Sequence, residues 1–139
     1  MPAMPIRSVN EIEQTIYDKH GNPLAYIAGD GVIYGFDGAC IAYVYRSRVW
    51  TFPGQQLGWF DRGWLRTLPG RCVGAADNAD TLLGPQLAPR KQSRQKLQRR
   101  GVRAIGVRRS EPVKPAFQKR WSKAPLSLFL AWLRYDAGQ

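Results

Sequence analysis

Histidine, cysteine and unbroken apolar sequence are all scarce in this chain. His20 is the only histidine, and Cys40 and Cys72 are the only cysteines, among 139 residues. A zinc site draws on about four nitrogen or sulfur ligands, and no close-spaced pair is present to start one. No metal or cofactor site is therefore expected. A Ser-His-Asp or Cys-His nucleophile needs a base oriented by a third group, and His20 sits alone in a turn-like segment. Gly29-Asp30-Gly31 lacks the Lys-Ser/Thr sequel of a phosphate loop. Asp18, Asp30, Asp37 and Asp61 are scattered over different repeat positions, where turn formation accounts for each. No enzyme signature emerges. The longest apolar stretch, residues 126–133, is broken by Ser127 and falls short of the ~18 residues that a spanning helix needs. Residues 1–10 show no apolar leader core. Two cysteines without such a leader point to free thiols and a cytoplasmic address.

What is present is a repeat. Gly21, Gly38, Gly54 and Gly70 are spaced 17, 16 and 16 residues apart, and the sequence around them aligns. Five before each glycine stand Ile16, Ile33, Val49 and Leu65; four before stand Tyr17, Tyr34, Trp50 and Arg66. Three after come Leu24, Ile41, Leu57 and Val73. They are followed by a small column of Ala25, Ala42, Gly58 and Gly74, then by Tyr26, Tyr43, Trp59 and Ala75. Each unit reads as strand, turn, strand, with a glycine supplying the positive φ of a hairpin turn; Asp37-Gly38 suggests type I′. Second reversals are expected at Gly29-Asp30-Gly31, Arg46-Ser47 and Arg62-Gly63. Period-two alternation puts Ile16 and Tyr17 on opposite faces. A lone hairpin is unstable, so a mainly β fold is expected, with four hairpins around a pseudo-four-fold axis. The small column leaves room for bulky neighbours.

The segments Ile16-Tyr17-Asp18-Lys19-His20-Gly21-Asn22-Pro23-Leu24-Ala25-Tyr26, Ala42-Tyr43-Val44 and Gly58-Trp59-Phe60-Asp61 resemble the bacterial 4-fold beta flower family over about residues 13–80. That resemblance implies the fold and carries no catalytic residues. Members also tend to have a basic tail, and Gly101-Val102-Arg103, Gly106-Val107-Arg108, Pro112-Val113-Lys114 and Trp121-Ser122 look similar to it. Residues 91–100 depart from that pattern and read as a charged helix or coil. The expected organisation is an N-terminal lead (1–12), the hairpin domain (13–80), the basic tail (81–124) and a C-terminal helix (125–139). Pro125 suits the first turn of that helix, and Leu126, Phe129, Leu130 and Leu133 share one face, suited to capping the ring or docking on a partner chain.

Charge divides the chain unevenly. Residues 1–80 hold 7 Lys/Arg and 8 Asp/Glu, whereas residues 81–139 hold 14 and 2, a net charge of +12. A block of one sign suits an anionic partner. The functional expectation is a non-enzymatic module whose basic arm binds nucleic acid or another polyanion through Arg94, Lys96, Arg99, Arg100, Arg103, Arg108, Arg109, Lys119 and Arg120. Interleaved Val102, Ile105, Val107, Val113, Phe117 and Trp121 suggest that the tail does more than solvate. The alternative is an assembly protein whose arm and helix dock on an acidic protein or a second copy. Tyr17, Tyr26, Tyr34, Tyr43, Trp50 and Trp59 would form one aromatic face: core if covered, a stacking platform for bases if exposed. Arg66 and Ala75 break those columns in the fourth hairpin. Removal of residues 90–139 is expected to leave the ring folded, provided the helix is not part of its core.

Overall fold

The computed structural model describes residues 13–109 and 112–137, with backbone alone at 135–137. Eight strands run β1 (Gln14–Tyr17), β2 (Pro23–Ile27), β3 (Val32–Gly35), β4 (Cys40–Tyr45), β5 (Arg48–Trp50), β6 (Gln56–Asp61), β7 (Trp64–Thr67) and β8 (Cys72–Ala76). Each pairs antiparallel with its neighbour, and β8 returns to β1 through Ile16↔Ala76 and Tyr17↔Ala75 to close a barrel. Closure removes both sheet edges. The four hairpins are equivalent down to their irregularities. Each register shifts at one place, between Ile16/Tyr17, Ile33/Tyr34, Val49/Trp50 and Leu65/Arg66. The extra residue opposite is Leu24, Ile41, Leu57 or Val73, the column three after the turn glycine. A bulge sets two consecutive residues on one face. Leu24 and Ala25, like Ile41 and Ala42, accordingly pack into the same cluster.

The turns are reversals of two kinds. At Arg46-Ser47 and Arg62-Gly63 both residues have positive φ (54°, 64°, 50° and 83°), as a two-residue type I′ turn requires. Asp37-Gly38 is not of this type, contrary to expectation. Only Gly38 is left-handed, at φ 88°. Its amide donates to the Gly35 carbonyl, and the Gly35 amide to that of Ala39, at 3.0 Å each. That is a three-residue loop ending in a left-handed glycine, and the other three hairpins repeat it.

Ile16, Ile33, Val49 and Leu65 fill the barrel. Helix α1 (Leu126–Ala137) plugs the end where the four hairpin tips lie, burying Leu126, Phe129, Leu130 and Leu133. The small column makes the room. A Cβ at Gly58 would stand 2.9 Å from the Phe129 ring, and one at Gly74 3.3 Å from Leu126. Burial of four such side chains contributes roughly 6–12 kcal/mol, comparable with the whole stability of a domain. The helix is part of the core, so the proviso attached to removing residues 90–139 is not met: that deletion opens the barrel.

Residues 84–109 and 112–122 are no free arm, and residues 91–100 form no helix. They run extended around the outside of the hairpin tips, in hairpin order, as a strap. Gly38 is held between the two layers, because a Cβ there would fall on the Gln98 carbonyl of the strap. Gly38→Ala is therefore expected to cost more than about 2 kcal/mol by chemical denaturation, from the left-handed φ and that collision together. Gly101, which lies outside the left-handed region and has nothing within 4 Å of a Cβ, is the control: Gly101→Ala should stay within about 0.5 kcal/mol of the parent.

Candidate polyanion-binding strap

The strap has a period of its own. The amides of Lys91, Arg100, Arg109 and Gln118, nine residues apart, donate to the carbonyls of Gly21, Gly38, Gly54 and Gly70 at 2.9, 2.8, 2.9 and 3.0 Å. The carbonyls of Pro89, Gln98, Val107 and Ala116 lie against the same four glycines, where any Cβ would intrude. Between these clamps the Leu97 and Gly106 amides donate to Phe36 and Phe52, again equivalent positions, at 2.8 and 2.6 Å. Pro115, the next in that series, has no N–H to give.

Side chains between the clamped backbone atoms fill the seams of the barrel. Arg99 lies over Tyr34 (4.6 Å) and donates to the Tyr26 hydroxyl (3.2 Å). Arg108, nine residues on, lies over Trp50 (5.9 Å) and donates to the Tyr43 hydroxyl (3.2 Å). Arg90 lies over Tyr17 (4.9 Å); Ala75 offers no hydroxyl there, and Arg90 donates instead to the Ala76 and Asp77 carbonyls. In the fourth seam the pair is exchanged. The barrel supplies Arg66 and the strap supplies Phe117, 4.5 Å away, with the Phe117 ring also edge-on to Trp59. Arg66 is 2% exposed and donates to the carbonyls of Gly70, Gln118 and Leu83 at 2.7–2.9 Å. Its break in the aromatic column is thus half of a cation–π pair with the partners swapped.

The aromatic face is buried. Tyr17, Tyr26, Tyr34, Tyr43, Trp50 and Trp59 are between 0% and 8% exposed, so the exposure that a base-stacking platform needs is absent at all six. Burial raises the hydroxyl pKa of Tyr17, Tyr26 and Tyr34. Among the candidate cations, Arg94 lies over Phe36 (5.3 Å), and Lys96 and Arg99 both pair with Glu13. Arg99 and Arg108 hold the strap as described. Arg100, Arg103, Arg109, Lys119 and Arg120 are exposed. Sequence reasoning missed Arg66, Arg90 and the nine-residue period, although Arg90-Lys91, Arg99-Arg100 and Arg108-Arg109 carried its signal.

The other reactive groups have structural surroundings. Cys40 and Cys72 are free thiols facing the Gly101 and Gln118 carbonyls of the strap, at 3.5 and 3.8 Å. Burial pushes the Cys72 thiol up, away from the reactive thiolate. The Asp18 carboxylate accepts from the His20 and Asn22 amides; burial opposes its ionisation, but those hydrogen bonds outweigh it and lower its pKa. Arg134 of α1, at 3.3 Å, likewise lowers the pKa of Asp37. Among the described residues no three His, Cys, Asp or Glu side chains gather as metal ligands would, and no helix is long and apolar enough to cross a membrane.

Four pseudo-equivalent hairpins in a closed antiparallel barrel, encircled by a basic strap and plugged by a helix, define the architecture. The chain belongs to the 4-fold beta flower protein family, whose model matches residues 14–130 and so spans barrel, strap and the start of α1. No curated protein and no solved structure matches it.

If the fourth seam is a true exchange of partners, the two changes should rescue one another. Arg66→Trp and Phe117→Arg are each expected to destabilise by about 2–4 kcal/mol, the first by stranding buried carbonyls and the second by burying an unpaired cation. The double variant should recover more than about 1 kcal/mol over additivity, read from denaturant midpoints in a double-mutant cycle.

Proposed function

We propose that the protein is a non-enzymatic binding module whose strap presents cations to nucleic acid or a similar polyanion. The observation that carries this reading is the division of labour within each dibasic step. In extended chain, consecutive side chains point opposite ways. All six are exposed, but Arg90, Arg99 and Arg108 lay their guanidinium groups on rings of the barrel, while Lys91, Arg100 and Arg109 are each anchored by their own amides to a turn glycine. The outward cations thus stand on a rigid backbone, which lowers the entropy cost of binding. Arg103, Lys119, Arg120 and Lys123 extend the row.

A second reading, assembly with an acidic protein or a second copy, draws on a different feature. Leu57, Leu68, Pro69, Phe129 and the half-exposed Trp132 line an apolar groove of about 240 Å³ beside α1. Salt separates the two readings. Contacts to about five phosphates should weaken 10²–10³-fold between 50 and 200 mM salt through counterion release; an apolar dock should not. Substitution of Arg100, Arg103, Arg109, Lys119 and Arg120 together by Gln is expected to remove that salt dependence and most of the affinity for a labelled oligonucleotide. The melting temperature should hold, because Arg90, Arg99 and Arg108 stay in their seams. An unchanged affinity in this variant, or no binding by the parent at 50 mM salt, contradicts the polyanion reading.

A further inference from the structure

The end of the barrel opposite α1 is where the four-fold symmetry fails in charge. Seven residues after the turn glycines stand Ala28, Tyr45, Asp61 and Asp77. The adjacent β6–β7 and β8–β1 corners are acidic at this position, and the β2–β3 turn adds the exposed Asp30. The β4–β5 corner alone reads Tyr45-Arg46-Ser47-Arg48. Tyr45 is 37% exposed, whereas every other tyrosine described is at most 8% exposed. Two guanidinium groups lie on its ring: Arg108 of the strap at 3.9 Å and Arg46 at 5.1 Å. Arg109 follows on the strap, exposed.

This corner is also strained. Arg46 and Ser47 both sit at positive φ, and with Arg62 they are the non-glycine residues found there among the described residues. A two-residue turn of this kind favours Asn-Gly, and a side chain in the left-handed region costs on the order of 1 kcal/mol. Backbone strain of this sort gathers at working sites. Here it holds a cation beside an exposed aromatic ring.

We infer that the Tyr45–Arg46–Arg108 corner is a contact site for single-stranded nucleic acid, in which an unpaired base stacks on the Tyr45–guanidinium layer and the adjoining phosphates meet Arg46 and Arg109. The inference rests on the polyanion reading above and sharpens it from charge to base. Unstacked bases pack on aromatic rings and on guanidinium planes alike, and a duplex offers no free base face. The carboxylates at the other corners disfavour phosphate, so the strand is drawn to this one.

The test is the affinity of the full chain for a labelled mixed-sequence single-stranded 15-mer at 50 mM salt, with its duplex and inorganic polyphosphate as comparators. Tyr45→Ala should weaken single-strand binding about 5- to 100-fold, the range of one lost stacking contact, and leave polyphosphate binding unchanged. Tyr45→Phe should remain within about twofold of the parent. Melting temperatures should match, because the Tyr45 ring is outside the core. Tyr45→Ala binding the single strand like the parent overturns the inference while leaving the polyanion reading intact. So does a parent that prefers the duplex or polyphosphate. A parent that binds none of the three overturns both.

Discussion

The structure depends on how the outside of a small barrel is covered. Closing eight strands satisfies the backbone, and the aliphatic column and α1 fill the interior. Alternation then sends Tyr17, Tyr34, Trp50 and their neighbours outward, where they would lie bare. A helix laid over them would need an apolar face, and the sequence between β8 and α1 has none. An extended strap works because its amides find partners at the turn glycines. Those carbonyls stand at the hairpin tips, outside the ladders, and repeat around the ring. The match of a nine-residue strap step to a 16- or 17-residue hairpin step joins the two halves of the chain into one fold.

Covering aromatic rings with arginine rather than with leucine has consequences for charge. A guanidinium can stack flat on a ring, keep donors for a hydroxyl or carbonyl, and leave one edge in water. Much of the strap's positive charge is therefore structural. Counting Lys and Arg overstates what is free to meet a ligand: Arg90, Arg94, Lys96, Arg99 and Arg108 are engaged with the barrel. The fourth seam shows that the pairing matters more than which side supplies the cation. With Phe117 on the strap, the barrel carries Arg66.

The hairpin repeat was legible because glycine turns, a branched aliphatic and an aromatic each answer to a separate constraint at every copy. The closing helix followed from its own apolar spacing, whereas the bulge that sets Leu24 beside Ala25 on one face was not read, because strict alternation hides it. The turn at Asp37-Gly38 was not legible as a type, since a left-handed glycine after Asp serves both two- and three-residue loops. The strap's period was written in Pro89-Arg90-Lys91, Gln98-Arg99-Arg100, Val107-Arg108-Arg109 and Ala116-Phe117-Gln118. It went unread because its bonds are made by backbone amides, which leave no trace in side-chain hydropathy, and because basic sequence suggests a solvated arm. Arg66 seemed a defect in a column until its partner was found 51 residues later.

The central claim, that the basic segment is the outer layer of the fold, makes a direct prediction for amide hydrogen exchange. The amides of Lys91, Arg100, Arg109 and Gln118 should be protected together with those of the hairpin turns they bind, while Val102 and Arg103 between the clamps exchange at nearly the rate of free chain. Protection at nine-residue intervals would establish the strap as part of the domain. Exchange of those four amides as fast as Val102 would contradict it, and would make the strap an arm that merely follows the barrel.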